Sequence, residues 1–209
     1  PNGKILIHRD ELKRFNKLAF LFNKKKTKNP KPKKKYTVVE LFAGCGGLAL
    51  GFEEAGLNCL FANDIDRDSC KTLRENRPNW NVLNRDIHQI TDSEFKKYKG
   101  ANVVSGGFPC QAFSYAGKKM GFKDTRGTLF YEFARAVKII KPQICIAENV
   151  RGLVSHDNGK TLKTIIDVME NDIGYDVISP EICQAIFYEV PQKRERLFLI
   201  GIKKGSGLI

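Results

Sequence analysis

Residues 36–56 read "YTVVELFAGCGGLALGFEEAG". The first eight, 36–43, are rich in β-branched and apolar side chains and predict a strand. Gly44, Gly46 and Gly47 follow at once, and 48–56 has helical spacing with Gly56 at its end. A glycine turn between strand and helix lets the backbone bend sharply and come close to a ligand. Gly44-x-Gly46-x-x-Ala49 fits the dinucleotide-binding fingerprint loosely, and Asp64 stands 20 residues past Gly44, where a carboxylate takes the hydroxyls of a ribose. The same glycines also suit a tight turn with no ligand. Phe42, at the strand's end, could turn its ring to an adenine or a ribose.

Outward from this unit, strands and helices alternate. Strands are predicted at 57–64, 101–107, 143–150, 175–183 and 195–202. Helices are predicted at 67–76, stopped before Pro78, at 125–141, ended by Pro142, and at 158–174, with Gly174 near the close. Strands separated by helices of this length build βαβ units, hence an α/β fold with a mostly parallel sheet and helices on both faces. Ligands bind such sheets beyond the carboxyl ends of the strands. That rule brings four features to one rim: the glycines, Asp64, the pair Pro109-Cys110 after the strand at 101–107, and Glu148-Asn149 at the end of the strand at 143–150.

Each of these features has a bland reading beside the chemical one. Buried cysteines are mostly inert packing groups. Cys110, however, lies in "GGFPCQAFSYAG" (106–117), where Pro109 stiffens the approach and the surrounding small residues leave room for another molecule. The polar and basic stretch 111–127 reads as a loop able to close over a substrate. Glu148 follows the apolar run 144–147 and suits proton donation or a hydrogen bond to a ring nitrogen. Asn149 adds an amide that can anchor backbone or substrate. Asp86-Ile87 offers a carboxylate for an exocyclic amine beside an apolar face for a purine; Asp86 equally suits a helix N-cap. In "PQKRERLFLIG" (191–201), Arg194 and Arg196 share one strand face with Glu195 opposite, which can hold an anion or a carbonyl oxygen or can be an ordinary ion-pair face.

The chain has 209 residues and a formal net charge of +13. Residues 1–35 hold 13 Lys and Arg against Asp10 and Glu11, leaving the rest nearly neutral. A short amphipathic helix is predicted at 8–24, followed by a lysine-rich linker at 23–35 whose like charges and prolines predict disorder when free. Phosphate backbone is the natural partner of that run, and a solubility tail is the alternative. No apolar run reaches the roughly 18 residues of a membrane span, and no signal peptide appears at the start. The six cysteines form no C-x-x-C pair, which points to reduced thiols, no metal site and a cytoplasmic setting.

Phe42-Ala43-Gly44-Cys45-Gly46-Gly47, Pro109-Cys110-Gln111, Glu148-Asn149-Val150 and Gln192-Lys193-Arg194-Glu195-Arg196, in that order, resemble the C5-cytosine DNA methyltransferases of bacterial restriction-modification systems. The resemblance runs from about 37 to 202. It implies a Rossmann-like class I methyltransferase fold and a cytoplasmic bacterial enzyme. Cys110 would then attack C6 of a cytosine flipped out of double-stranded DNA. Glu148 would contact N3 and the exocyclic amine, and Arg196 would hold O2. Arg194 would support Cys110, and Pro109, Asn149 and Gln192 would be structural supports. The cofactor S-adenosyl-L-methionine would lie across Phe42, Gly44, Gly46, Gly47, Asp64, Ile65, Asp86, Ile87 and Leu129. Ile65 stands where some relatives carry an aromatic residue, so stacking on an adenine should be weaker here.

The expected division is a basic N-terminal extension at 1–35 and a catalytic domain at 36–209. Members of the family usually continue into a target-recognition region absent from this chain. The chain is therefore expected to be a fragment, or one subunit of a split enzyme whose second polypeptide supplies the rest, with a cognate restriction endonuclease in the same system. The alternative is a non-catalytic DNA- or cofactor-binding subunit. A nicotinamide dehydrogenase would rest on the glycine turn alone.

Overall fold

The computed structural model describes residues 36–109 and 129–208. Cys110, the 111–127 loop and the basic extension at 1–35 lie outside the described residues.

Strand β1 (Thr37–Leu41) buries Val38, Val39 and Leu41 completely, so both its faces are covered, as in a sheet with helices on either side. It pairs in parallel with β2 (Asn58–Asp64) on one side and with β4 (Val103–Gly106) on the other. β3 (Val82–Asn84) extends the sheet beyond β2, and β5 (Ile144–Val150) lies beyond β4, all parallel. β8 (Glu195–Lys203) runs antiparallel to β5, and the short β6 (Tyr175–Val177) and β7 (Glu181–Gln184) share its far side. The strand order is therefore β3-β2-β1-β4-β5-β8-β6, with β7 on β8.

The helices sort to the two faces by their apolar stripes. α1 (Gly47–Glu54) and α2 (Arg67–Asn76) bring Ala49 and Leu73 onto Val38, Ala62 and Val103. On the other face α3 (Asp92–Lys96), α4 (Leu129–Ile140) and α5 (Lys160–Asp167) bury Phe95, Phe130, Phe133 and Ile165 against Val39, Leu41 and Phe61. Two ends are fixed by side-chain caps: Asp66 accepts the N–H of Ser69 at 2.7 Å before α2, and Thr91 with Glu94 forms a reciprocal capping box on α3.

The mostly parallel sheet and its two helical layers match the sequence reading. Four local differences have physical causes. The first strand stops at Leu41, because Phe42 takes a left-handed φ of 56° to enter the glycine turn. Helix α5 starts at Lys160 instead of 158, since Asp157, Asn158 and Gly159 all have positive φ, and it widens into a π turn over Val168–Asp172. The strand predicted at 175–183 is two pieces broken around Pro180. β3 and α3 were too short to show a period and were not predicted.

Candidate active site

The chain leaves β1 toward β2 and β3 on one side and returns to place β4 on the other. β1 and β4 therefore flank the point where the strand order reverses, which is where open α/β sheets bind ligands. The chain leaves both strands on that rim. β8 runs the opposite way, so its beginning reaches the same rim: Val150 at the end of β5 pairs with Arg196.

The glycine turn is built into its surroundings. Gly46, at φ 91°, caps α1, and a Cβ on it would stand 2.4 Å from Leu73 Cδ2. A Cβ on Gly44 or Gly47 would meet nothing within 4 Å, so space lies open above the turn. The N–H of Gly44 donates to Asp64 Oδ2 at 2.7 Å, and the N–H of Asp66 donates to Asp64 Oδ1 at 2.8 Å. Asp64 thus ties the two loops together. Each carboxylate oxygen has further acceptor capacity, which leaves it able to receive hydroxyls. Asn84 donates to the Ile65 carbonyl at 2.8 Å, and Ile65 itself is 68% exposed. Asp86 caps its own short turn, accepting the His88 N–H at 3.0 Å and pairing with the His88 ring at 2.7 Å. The backbone hydrogen bond first, then the ring, hold its carboxyl below the usual range. Ile87 is buried in the core, Phe42 is half-buried against it, and Leu129 opens α4.

The segment that leads to Cys110 is clamped from three sides. Phe108 is buried against Phe130 and Phe133 at ring distances of 5.4 and 5.8 Å. Its carbonyl accepts the Asn149 side-chain amide at 2.9 Å, so the buried Asn149 anchors backbone. Gly107 passes so close to Glu148 that a Cβ there would lie 2.8 Å from Glu148 Oε2. Pro109 is exposed at the end of this stretch.

Glu148 Oε1 pairs with Arg196 Nε at 2.8 Å. Arg194 precedes β8 instead of lying in it, in a tight turn where its N–H donates to the Gln192 carbonyl at 3.0 Å. Glu195 faces away, bound by Arg151 at 3.0 Å and Gln184 at 2.9 Å. A single cavity of about 790 Å³ runs from Gly47 and Leu48 past Glu148, Arg194 and Arg196 to Phe198 and Ile200. Its size falls in the range of ligand pockets. A shallower groove beside it is lined by Arg151, Gln192, Lys193 and Arg194.

Glu40 and Ser105 are among the buried polar residues that went unnoticed in the sequence. Glu40 is 1% exposed in β1 and accepts a hydrogen bond from the Ser105 hydroxyl of β4. Burial pushes its carboxyl up to about 8; the Ser105 hydrogen bond opposes this, and the charge of Glu148 adds to it. The signal was available as an acid inside an otherwise apolar β-branched strand. The cavity wall of Phe198 and Ile200 was also legible, as the i+2 and i+4 continuation of Arg196 along one strand face.

A family model described as C-5 cytosine-specific DNA methylase matches residues 36–208. The type II methyltransferase M.Eco47II of Escherichia coli is 53% identical over 197 residues, covering 93% of this chain and 46% of that protein. M.Sau96I of Staphylococcus aureus, also a type II methyltransferase, is 46% identical over 98% of this chain and 48% of its own length. The chain spans about half the length of the curated relatives it matches. Among solved structures, Spodoptera frugiperda DNMT2 superposes with a TM-score of 0.65 at 22% identity, over 83% of this chain and 51% of that one.

Proposed function

The chain belongs to the C-5 cytosine-specific DNA methylase family, and from that premise we propose that it carries the catalytic part of a DNA (cytosine-5)-methyltransferase acting on double-stranded DNA. The observation that carries this reading is the shared cavity. One space joins the glycine turn at Gly47 to the Glu148–Arg196 pair, and Asn149, next to Glu148, anchors the Phe108 carbonyl two residues before Cys110 in the sequence.

The residues around the turn fit S-adenosyl-L-methionine. Gly44 and Gly47 leave open space, Asp64 keeps acceptor capacity for ribose hydroxyls, Asp86 is held ionised for an amine, and Ile65 presents an exposed apolar surface. When bound there, that cofactor supplies an electrophilic methyl group.

The chain's own residues do the rest. Cytosine C5 is a poor nucleophile. The Cys110 thiolate adds to C6, and the C5–C6 electron pair moves to C5 as an enamine carbon. Glu148 holds a proton at N3 and accepts from the exocyclic amine, which stabilises that charge shift. Arg196, kept in place by Glu148 at 2.8 Å, donates to O2 of the ring. With C5 methylated, its proton would pass to solvent, the C5–H pair would re-form the C5–C6 double bond, and the Cys110 sulfur would leave C6 as the thiolate. None of this is reachable within a stacked duplex, so the base turns out into the cavity. The basic groove of Arg151, Lys193 and Arg194 then faces the phosphates.

The test is covalent capture. Duplex DNA carrying 5-fluorocytosine is incubated with S-adenosyl-L-methionine and the chain, alone and with the remaining part of M.Eco47II as a second polypeptide. A denaturant-resistant protein–DNA adduct that is lost in Cys110→Ser supports the reading. An adduct that persists in Cys110→Ser, or none under either condition, refutes it.

A further inference from the structure

The groove beside the cavity is lined by Arg151, Lys193, Arg194 and Arg196 and, among its described residues, by one acid, Glu195. Arg151 follows the end of β5, whose last residue, Val150, pairs in register with Arg196. Glu195 opens β8 and pairs in register with Gln184, the last residue of β7. Its carboxylate is held from two sides. Arg151 Nη1 donates to Oε1 and Oε2 at 3.0 Å each, and Gln184 Nε2 donates to Oε1 at 2.9 Å. The Glu195 carbonyl accepts Arg196 Nη1 at 2.7 Å, and Arg196 Nε holds Glu148 Oε1 at 2.8 Å. One residue therefore touches both the arginine of the groove and the arginine of the cavity. The Arg151 side chain is 63% exposed and that of Glu195 22%, so the cation faces outward over the acid. Among the described residues no acceptor meets Arg151 Nε or Nη2, and none meets the side chains of Lys193 and Arg194.

From this arrangement we propose that Glu195 is a positioning residue for the DNA backbone: it fixes Arg151 at the mouth of the cavity so that the free edge of the guanidinium receives a phosphate of the strand whose base has turned out. The proposal deepens the methyltransferase reading and rests on it for the identity of the ligand. By charge alone, an acid in a basic groove repels a phosphate. Here the geometry reverses the sign. Both oxygens of Glu195 are occupied by donors, and the charge presented outward is that of the arginine. Nε and Nη2 lie side by side on the edge of the guanidinium away from Nη1, and two adjacent N–H groups match two phosphate oxygens. Holding the side chain before DNA arrives removes rotamer freedom that binding would otherwise cost. Because the Glu195 carbonyl also holds Arg196, the phosphate contact and the base contact are set from one strand end.

The test is equilibrium binding of labelled duplex DNA from about 50 to 200 mM salt, for the chain alone and with the second polypeptide of the capture experiment. The lysines of 1–35 are common to every variant and cancel in the ratios. Arg151→Ala should weaken binding by roughly fivefold near 0.1 M salt and lower the slope of log K against log salt by about 0.9, one phosphate contact. Glu195→Ala should weaken binding by roughly threefold and lower the slope in the same direction, although it removes a negative charge. Glu195→Gln, which keeps one acceptor oxygen, should fall between it and the wild type. In an Arg151→Ala background Glu195→Ala should no longer weaken binding, because nothing is left to position. Tighter or unchanged binding for Glu195→Ala in the wild-type background overturns the proposal, and so does an equal loss in both backgrounds, which marks a purely structural role. Capture on 5-fluorocytosine DNA in the same samples separates the two readings. A wild-type adduct without the affinity pattern leaves the methyltransferase reading standing and removes the clamp; the affinity pattern without an adduct keeps the clamp and removes the methyltransferase reading. If the wild type binds no duplex DNA under either condition, both are refuted.

Discussion

Glu40→Gln should make the protein more stable at neutral pH, and the reason lies in its burial. In the unfolded chain this carboxyl ionises near 4.5, whereas the fold pushes it up to about 8. Between those values the folded state binds a proton that the unfolded state has released. Stability from this group is fully present below pH 4.5 and is lost as pH rises through 8. At pH 7 the acid is held protonated about 2.5 pH units above its unfolded midpoint; at about 1.4 kcal/mol per unit, this costs roughly 3 kcal/mol. A glutamine is neutral in both states and escapes that cost. Its carbonyl can still accept from Ser105, so the hydrogen bond itself survives the change.

Urea unfolding followed through the single tryptophan, Trp80, at half-unit steps from pH 4.5 to 8.5 gives the measurement. Subtracting the two stability curves removes the shared carboxyls that do not act on Glu40, including Asp86 and Glu94, whose carboxyls lie below their usual range. The difference should be small at pH 4.5 and grow to about 3 kcal/mol in favour of Glu40→Gln by pH 7. Two curves that stay parallel over the whole range refute the argument, because Glu40 would then ionise in the folded protein as it does in water.

Four other substitutions probe the rim. Gly46→Ala, forced against the buried Leu73 at a positive φ, should lose about 2–4 kcal/mol in urea unfolding, whereas Gly47→Ala, with open space above it, should stay within about 0.5 kcal/mol. Asn149→Ala strips the Phe108 carbonyl of its buried partner and should cost about 1–3 kcal/mol, with a loss of adduct on 5-fluorocytosine DNA that exceeds any loss of folded protein. Gly107→Ala pushes a methyl group into Glu148 Oε2 and should depress adduct formation while the urea midpoint moves little, since the displaced carboxylate lies at a cavity wall.

The layered fold was readable because its signals are local. The β-branched run before Gly44, the helix at 67–76, found at the same bounds in the structure, and the prolines at 78 and 142 each act within a few residues. Elements shorter than one period, such as β3 and α3, carry no such signal. The rim features were legible for a different reason: parallel strands put all their carboxyl ends on one side, so the loops after β1, β2, β4 and β5 had to converge.

Depth and register were hidden, and they separate the two acids of this face. Glu40 and Glu148 both follow apolar runs, and sequence alone gives them equal standing. What distinguishes them is position across the sheet. β1 is a central strand covered on both faces, and among the described residues its acid is hydrogen-bonded by the Ser105 hydroxyl of the neighbouring strand. β5 borders the antiparallel β8, whose reversed direction brings Arg196 back to the rim and supplies the guanidinium that Glu148 holds. Strand direction, which no single segment encodes, therefore decides which carboxyl faces the cavity as a charged group and which is buried below it as an acid.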